Sequence, residues 1–248
     1  MPRFAAALAL SAFAALCALP AGAAEKSAFT DAQKAEIKKM VREYILENPG
    51  IINEAIQAQE VAADKAKSDK RVAIANTRKQ EIYTPSENTV LGNPKGDVTV
   101  VEFFDYNCGY CKAMFPSVVE AMKEDPKLRL VVKEFPILGP SSVTATRAAL
   151  AARKQNKYTE LHLALMSHKG SLTDAGIIDI AKSTGLDVKK LQDDMKDPEI
   201  TAVITRNHDL AEQLGIDGTP AMFVGNNFVA GAIPKTQLVS LIAAARKP

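Results

Sequence analysis

Cysteine is scarce in this chain: three among 248 residues, at Cys17, Cys108 and Cys111. Cys17 lies in a leader-like segment, so loss of that segment would leave Cys108-Gly109-Tyr110-Cys111 as a lone C-x-x-C with no other thiol to pair with. Histidine is equally sparse, and His162, His168 and His208 show no ligand spacing with one another, which argues against a zinc site needing two further ligands. Neither sign of charge dominates: 31 Lys+Arg stand against 29 Asp+Glu, for a formal net charge of +2. That balance argues against nucleic acid or acidic lipid as the main partner. There is no internal repeat, no low-complexity segment and no phosphate loop or nucleotide fingerprint.

The N-terminus has Arg3, an apolar stretch from Phe4 to Leu19 and then Pro20-Ala21-Gly22-Ala23-Ala24. A basic start, a short apolar run and small residues before a cut form the secretory signal pattern, assigned to residues 1–23. At about 16 residues the run is short of the roughly 20 a spanning helix needs. Leu16 precedes Cys17 where a lipoprotein signal wants a small residue, which argues against lipid attachment. The mature chain is thus expected in an exported, oxidising compartment.

Residues 24–84 read as a charge-rich helical region with its linker. Thr30 or Asp31 caps a first helix with Ile37, Met40, Val41, Tyr44 and Ile45 on one face. Asn48-Pro49-Gly50 breaks it, with Asn48 as N-cap and Pro49 opening a second helix. Ile52, Ala55, Ile56, Gln59, Ala62, Ala63 and Ala66 then form a narrow stripe. Such a stripe needs cover, through self-association or by folding back on its own domain.

Pro85 to Gly96 reads as a linker. Next come a strand from Val98 to Phe104, a helix from about Cys108 to Lys123 containing Pro116, and a strand from Leu128 to Phe135. A long helical block occupies about 140–214, followed by a hairpin about Gly225-Asn226-Asn227 and an amphipathic C-terminal helix. The expected fold is α/β, a small sheet carrying a helical insertion, with 85–248 as the main domain.

A strand that delivers a dithiol to the first turn of a helix is a redox device. Helix-terminal N–H groups and the macrodipole favour a thiolate at Cys108. Cys111, one turn on, can attack a mixed disulfide formed there, while Gly109 and Tyr110 tune strain and polarity. A structural disulfide would close only a very short loop and stabilise little. A soft metal such as Cu(I) is a further use of two thiolates. Glu102 lies in the apolar strand, either facing solvent at an edge or buried beneath the thiols as a proton acceptor and donor for Cys111. The bond before Pro220 is readable as trans or cis. Asp105 and Lys112 flank the dithiol and either tune its field or are solvated, and His162 reads as a helix-packing residue.

Three segments carry a family resemblance: Glu102 to Lys112, Glu134-Phe135-Pro136-Ile137-Leu138-Gly139, and Gly218-Thr219-Pro220. Together they resemble the thioredoxin-fold DsbA-like thiol–disulfide oxidoreductases, most closely the ScsC (suppressor of copper sensitivity C) and Com1-like branch. The resemblance implies a periplasmic enzyme whose thioredoxin fold is interrupted by a helical domain. It implies Cys108 as exposed nucleophile, Cys111 as resolving thiol and Glu102 as buried acid. It implies a cis Thr219–Pro220 bond in a loop where, with Gly109 and Tyr110 nearby, an extended substrate pairs. No cofactor is implied beyond the Cys108–Cys111 redox disulfide. Gly-Tyr between the thiols departs from the Pro-His of the strongly oxidising archetype, removing one contributor to thiolate stability.

The leading expectation is a disulfide isomerase or reductase acting on exported client proteins with cysteines. It would be kept reduced by a membrane reductase of the DsbD/ScsB type and would be homo-oligomeric through its N-terminal helices. The alternatives are a dithiol oxidase, a copper-binding or copper-tolerance thiol protein, and a non-catalytic chaperone built on those helices.

Overall fold

The structure, a computed structural model, describes residues 29–84 and 89–247. Cys17 and the segment read as a signal lie outside them. The chain divides into two compact units, Met1–Val61 and Ala62–Pro248.

In the first unit, helix α1 spans Asp31–Glu47. Thr30 and Gln33 form a capping box that satisfies backbone donors at its start. The helix buries none of its residues; Ile37, Met40, Val41 and Tyr44 are all exposed. Helix α2, Gly50–Thr77, begins one residue after Pro49 rather than at it, and the division between the units falls inside it. Ile52 and Ile56 on its first turns are likewise exposed.

The second unit holds a five-stranded sheet in the order β1-β3-β2-β4-β5. Its strands are β1 (Val90–Gly92), β2 (Val98–Phe104), β3 (Leu128–Glu134), β4 (Ala221–Val224) and β5 (Asn227–Ala230). β2 and β3 run parallel and the remaining pairs antiparallel. The parallel pair is joined through α4 (Gly109–Glu124), as a crossover requires. Between β3 and β4 the chain inserts α5 (Pro140–Ala152), α6 (Tyr158–Ser167), α7 (Asp174–Ser183), α8 (Val188–Asp194) and α9 (Pro198–Gln213); α10 (Lys235–Ala245) closes the unit.

Alternation along the strands sends successive side chains into two cores. Val98, Val100, Phe104, Leu130, Val132 and Met222 pack with α4, the insertion and α10. Val101, Phe103, Val131 and Phe223 pack with Leu210 and Leu214. By this parity Glu102 and Glu134 stand on the first of these faces, on neighbouring strands.

One expectation needs correction. The stretch read as a linker contains β1, in which Val90 pairs with Val131 and Leu91 with Leu130. Three residues are too few to show alternation, so pairing with β3 decides the outcome. Gly92 ends β1 at φ +71°, and a Cβ there would stand 2.6 Å from the Leu128 carbonyl oxygen. The sequence reading divides the chain between 84 and 85, while the division into compact units falls between Val61 and Ala62. Residues from Ala62 onward belong to the sheet-bearing unit. Ile82 of α3 (Lys79–Tyr83) is 0% exposed in the second core, beside Ile74 and Ala75. Arg71 Nε donates to the Leu214 carbonyl at 2.9 Å, and Lys133 Nζ donates to the Glu81 carbonyl at 2.8 Å. A helix with charge on most faces hides such a one-sided anchorage from its sequence.

Candidate functional site

The dithiol stands where β2 hands over to α4. Cys108 is the N-cap of α4, and its Sγ accepts the Cys111 backbone N–H at 3.2 Å. This is the capping role usually taken by an oxygen, here given to sulfur. Cys108 Sγ also donates to the Thr219 carbonyl at 3.2 Å, and the Thr219–Pro220 bond is cis. The two thiols are unbridged. Hydrogen bonding from the Cys111 thiol is the main influence that pulls Cys108 down to about 6, against its burial; the Thr219 side chain and the N–H groups of Cys111 and Tyr110 assist. The same sulfur–sulfur hydrogen bond, together with burial and the Glu102 charge, pushes Cys111 far up.

Cys108 is less open than expected for an exposed nucleophile: 4% of its surface remains accessible, against 0% for Cys111. The open positions are Gly109 and Tyr110, the latter 73% exposed. A side chain at Gly109 would meet nothing within 4 Å. Thr219 is half-buried and Pro220 buried. A partner thus reaches the sulfur through a narrow opening bordered by Gly109, Tyr110 and Thr219.

Glu102 is 5% exposed, and among the described residues no group hydrogen-bonds its carboxyl. In β2 it pairs with Val132 on one side and Met222 on the other, so no lysine or arginine faces it from the sheet. Burial first, and then the Cys108 charge, raise it to about 8. The Glu102 charge in turn raises Cys111, so the buried carboxyl and the buried thiol both favour their protonated forms.

The residues flanking the thiols are anchored rather than solvated. Asp105, 1% exposed, accepts from the backbone N–H of Asn107, Ile137 and Leu138 and from Ser142 Oγ, at 2.7–2.9 Å. Asn107 takes the Leu172 N–H at 2.7 Å, and Lys112 Nζ donates to the Gly170 carbonyl at 2.7 Å. Both sides of the motif are therefore fastened to the loop between α6 and α7. Asn107 carries no sequence signal for this, because its partners lie 34 to 65 residues away. Among the described residues no group of three or more His, Cys, Asp or Glu is placed to hold a metal ion, and no helix is long and apolar enough to cross a membrane.

A βαβ unit with a dithiol capping its helix and a cis-proline loop opposite defines a thioredoxin-fold thiol protein. Residues 99–243 match the DSBA-like thioredoxin domain, and residues 33–61 match the copper resistance protein ScsC N-terminal domain. The chain belongs to the DsbA-like family of thiol–disulfide oxidoreductases. It is similar to a thioredoxin-like oxidoreductase from Silicibacter pomeroyi, with 46% identity and a TM-score of 0.67 over 68% of this chain and 98% of that one. The thiol–disulfide exchange protein α-DsbA2 of Wolbachia pipientis shows 30% identity and a TM-score of 0.67, covering 72% and 97%. Proteus mirabilis ScsC in a transitional conformation shows 29% identity and a TM-score of 0.66, covering 88% and 99%. Curated relatives include Na(+)/H(+) antiporter NhaA 1 of Salinispora arenicola, 31% identical over 142 residues; the match spans only 22% of that protein's length.

Proposed function

We propose that this protein is a periplasmic disulfide isomerase or reductase for exported client proteins, working through Cys108. The observation that carries the reading is the asymmetric thiol pair: Cys108 is drawn down to about 6 while Cys111 beside it is held protonated. At neutral pH the first sulfur is mostly thiolate and the second a reserve.

The Cys108 thiolate attacks one sulfur of a client disulfide, forming a Cys108–client bond while the other client sulfur leaves as thiolate. In isomerisation, a second client thiolate attacks the client sulfur of that mixed disulfide, and Cys108 is released with no net redox change. In reduction, Cys111 gives up its proton, to Glu102 in the fraction of molecules whose carboxyl is ionised, and attacks Cys108 Sγ. The client leaves as a dithiol and Cys108–Cys111 becomes the disulfide, which a membrane reductase of the DsbD/ScsB type must reduce again. The Thr219 carbonyl, beside the thiolate, supplies a backbone acceptor for an extended client segment.

By the resemblance to the DsbA-like proteins, threonine before Pro220 is typical of members that isomerise or reduce, and the absence of histidine between the thiols removes a contributor to thiolate stability; both favour this direction over oxidation. The match of residues 33–61 to an ScsC N-terminal domain supports homo-oligomerisation through the exposed apolar faces of the N-terminal helices. The leader-like composition before them supports export. Thiol trapping in cells is the test: a largely reduced Cys108–Cys111 pair, with recovery of activity from a scrambled-disulfide client in vitro, is expected. A largely oxidised pair with no activity on scrambled client sinks the isomerase reading in favour of the oxidase.

A further inference from the structure

Glu134 is a second buried carboxyl on the same face of the sheet as Glu102, and the exchange chemistry above makes no use of it. It is 1% exposed at the end of β3, where it pairs with Phe104. Three hydroxyls converge on it: Tyr106 at 3.0 Å and Tyr158 at 2.9 Å on one oxygen, Thr146 at 2.9 Å on the other. Its backbone carbonyl accepts from Asn207 Nδ2 at 3.0 Å. Tyr106 also lies 3.0 Å from His162 Nδ1. With burial holding His162 neutral, the distances accommodate Nδ1–H donating to the Tyr106 oxygen and Tyr106 O–H donating to Glu134.

A network of this kind replaced as a whole by well-packed apolar groups is often no less stable, so its presence bears on geometry as well as on stability. Its members come from places that must be held in register. Tyr106 sits two residues before Cys108; Thr146 belongs to α5, Tyr158 and His162 to α6. Rings reinforce it: Phe104 stands edge-on to Tyr106 at 4.9 Å and to His162 at 5.0 Å. Among the described residues no group hydrogen-bonds the Glu102 carboxyl, whereas both Glu134 oxygens are engaged.

We infer that Glu134 is a positioning residue for the dithiol: through Tyr106 it locks the turn carrying Cys108 against the helical insertion and so sets the hydrogen bonds that stabilise the Cys108 thiolate. Loosening it lets Cys108 Sγ drift from the Cys111 N–H and from Thr219, which destabilises the thiolate and makes the disulfide less oxidising.

The test uses the full chain and compares Glu134→Met with Glu134→Gln, which keeps an acceptor oxygen. Two readouts are taken: the equilibrium constant of the Cys108–Cys111 pair against glutathione, and the pH titration of Cys108 thiolate absorbance near 240 nm. In Glu134→Met the equilibrium should move about fivefold or more toward the disulfide, the factor that accompanies loss of a buried hydrogen-bond partner, and the titration should move up. Glu134→Gln should stay within about twofold of wild type on both. Folded Glu134→Met with a lowered melting temperature but both readouts unmoved overturns the inference, since a merely structural residue behaves that way. If Glu134→Met does not fold, Tyr158→Phe removes one hydroxyl and keeps the ring; a shift in the same direction supports the inference and an unmoved equilibrium overturns it. The inference rests on Cys108 being the exchanging thiol, so wild-type protein inert toward glutathione overturns both readings. Active wild type with an unmoved variant overturns this one alone.

Discussion

The two units use apolar side chains in opposite ways. In the sheet-bearing unit Leu161, Leu165, Ile177 and Leu191 have no accessible surface, and the polar groups among them are hydrogen-bonded. In the first unit Ile37, Met40, Val41, Tyr44, Ile52 and Ile56 are all exposed on amphipathic helices, the first of them capped at its start by Thr30 and Gln33. The contrast separates what makes a helix from what makes a fold. Capping boxes and i,i+4 periodicity suffice for local structure, but a free energy of folding large enough to hold a unit together requires apolar surface to leave water. The first unit has that surface and, within its own residues, nothing to bury it against. A second copy of the chain is the cover our reading assigns.

Removing residues 29–61 should break the contrast most drastically. The truncated protein is expected to fall from an assembly to a single chain in light scattering, with its glutathione equilibrium within about twofold of the full chain, a difference below ~0.5 kcal/mol. An unchanged mass would remove the N-terminal helices from assembly.

A pair of alanine substitutions sharpens it at smaller scale. Leu165→Ala empties a site with no accessible surface and should lower unfolding free energy by about 2–5 kcal/mol in denaturant titration. Ile56→Ala, on an exposed face, should leave the unfolding of the sheet-bearing unit within about 0.5 kcal/mol of wild type while weakening assembly on dilution. Equal effects of the two on unfolding would contradict the division drawn above.

A further expected effect concerns pH and lies wholly within the second unit. Glu102 keeps its proton up to about 8 when folded but loses it near 4.5 when unfolded. The unfolded chain therefore binds fewer protons between those values, and stability falls as pH rises through that window. Glu102→Gln removes this slope. In melts of the reduced protein, the variant should gain on wild type steadily from pH 4.5 to 8 and show no gain below 4.5. Glu134, also raised to about 8 by burial, keeps its own slope in both proteins, so the difference isolates Glu102. A constant difference across the range would mean that Glu102 does not titrate in this window. The same variant should alter the pH dependence of Cys111 attack on a Cys108 mixed disulfide, read in single-turnover exchange.

Much of the site was legible beforehand because its signals are local. C-x-x-C after an apolar strand is a spacing, and the strand-to-helix handover follows from Val98–Phe104 and from the helical periodicity after Cys108. The two N-terminal helices, the β4–β5 hairpin and the block of helices between β3 and β4 are periodic patterns of the same kind. What one-dimensional pattern could not carry was the choice among partners far apart in the chain. Glu102 kept a solvent-facing reading beside the buried one until β3 and β4 flanked it with Val132 and Met222. Asp105 and Lys112 read either as tuning the field of the dithiol or as solvated, yet their partners lie near Leu138 and at Gly170. Glu134 gave no sign of its three hydroxyl partners, since Tyr106, Thr146 and Tyr158 come from three separate elements. The lone dithiol, its helix and the order of elements were thus determined by sequence alone, through periodicity and capping. The depth of Cys108, the edge strand β1, the anchorage of Ile82 and the two buried acids were decided only by tertiary structure, because burial and desolvation depend on what folds over a residue rather than on what stands next to it.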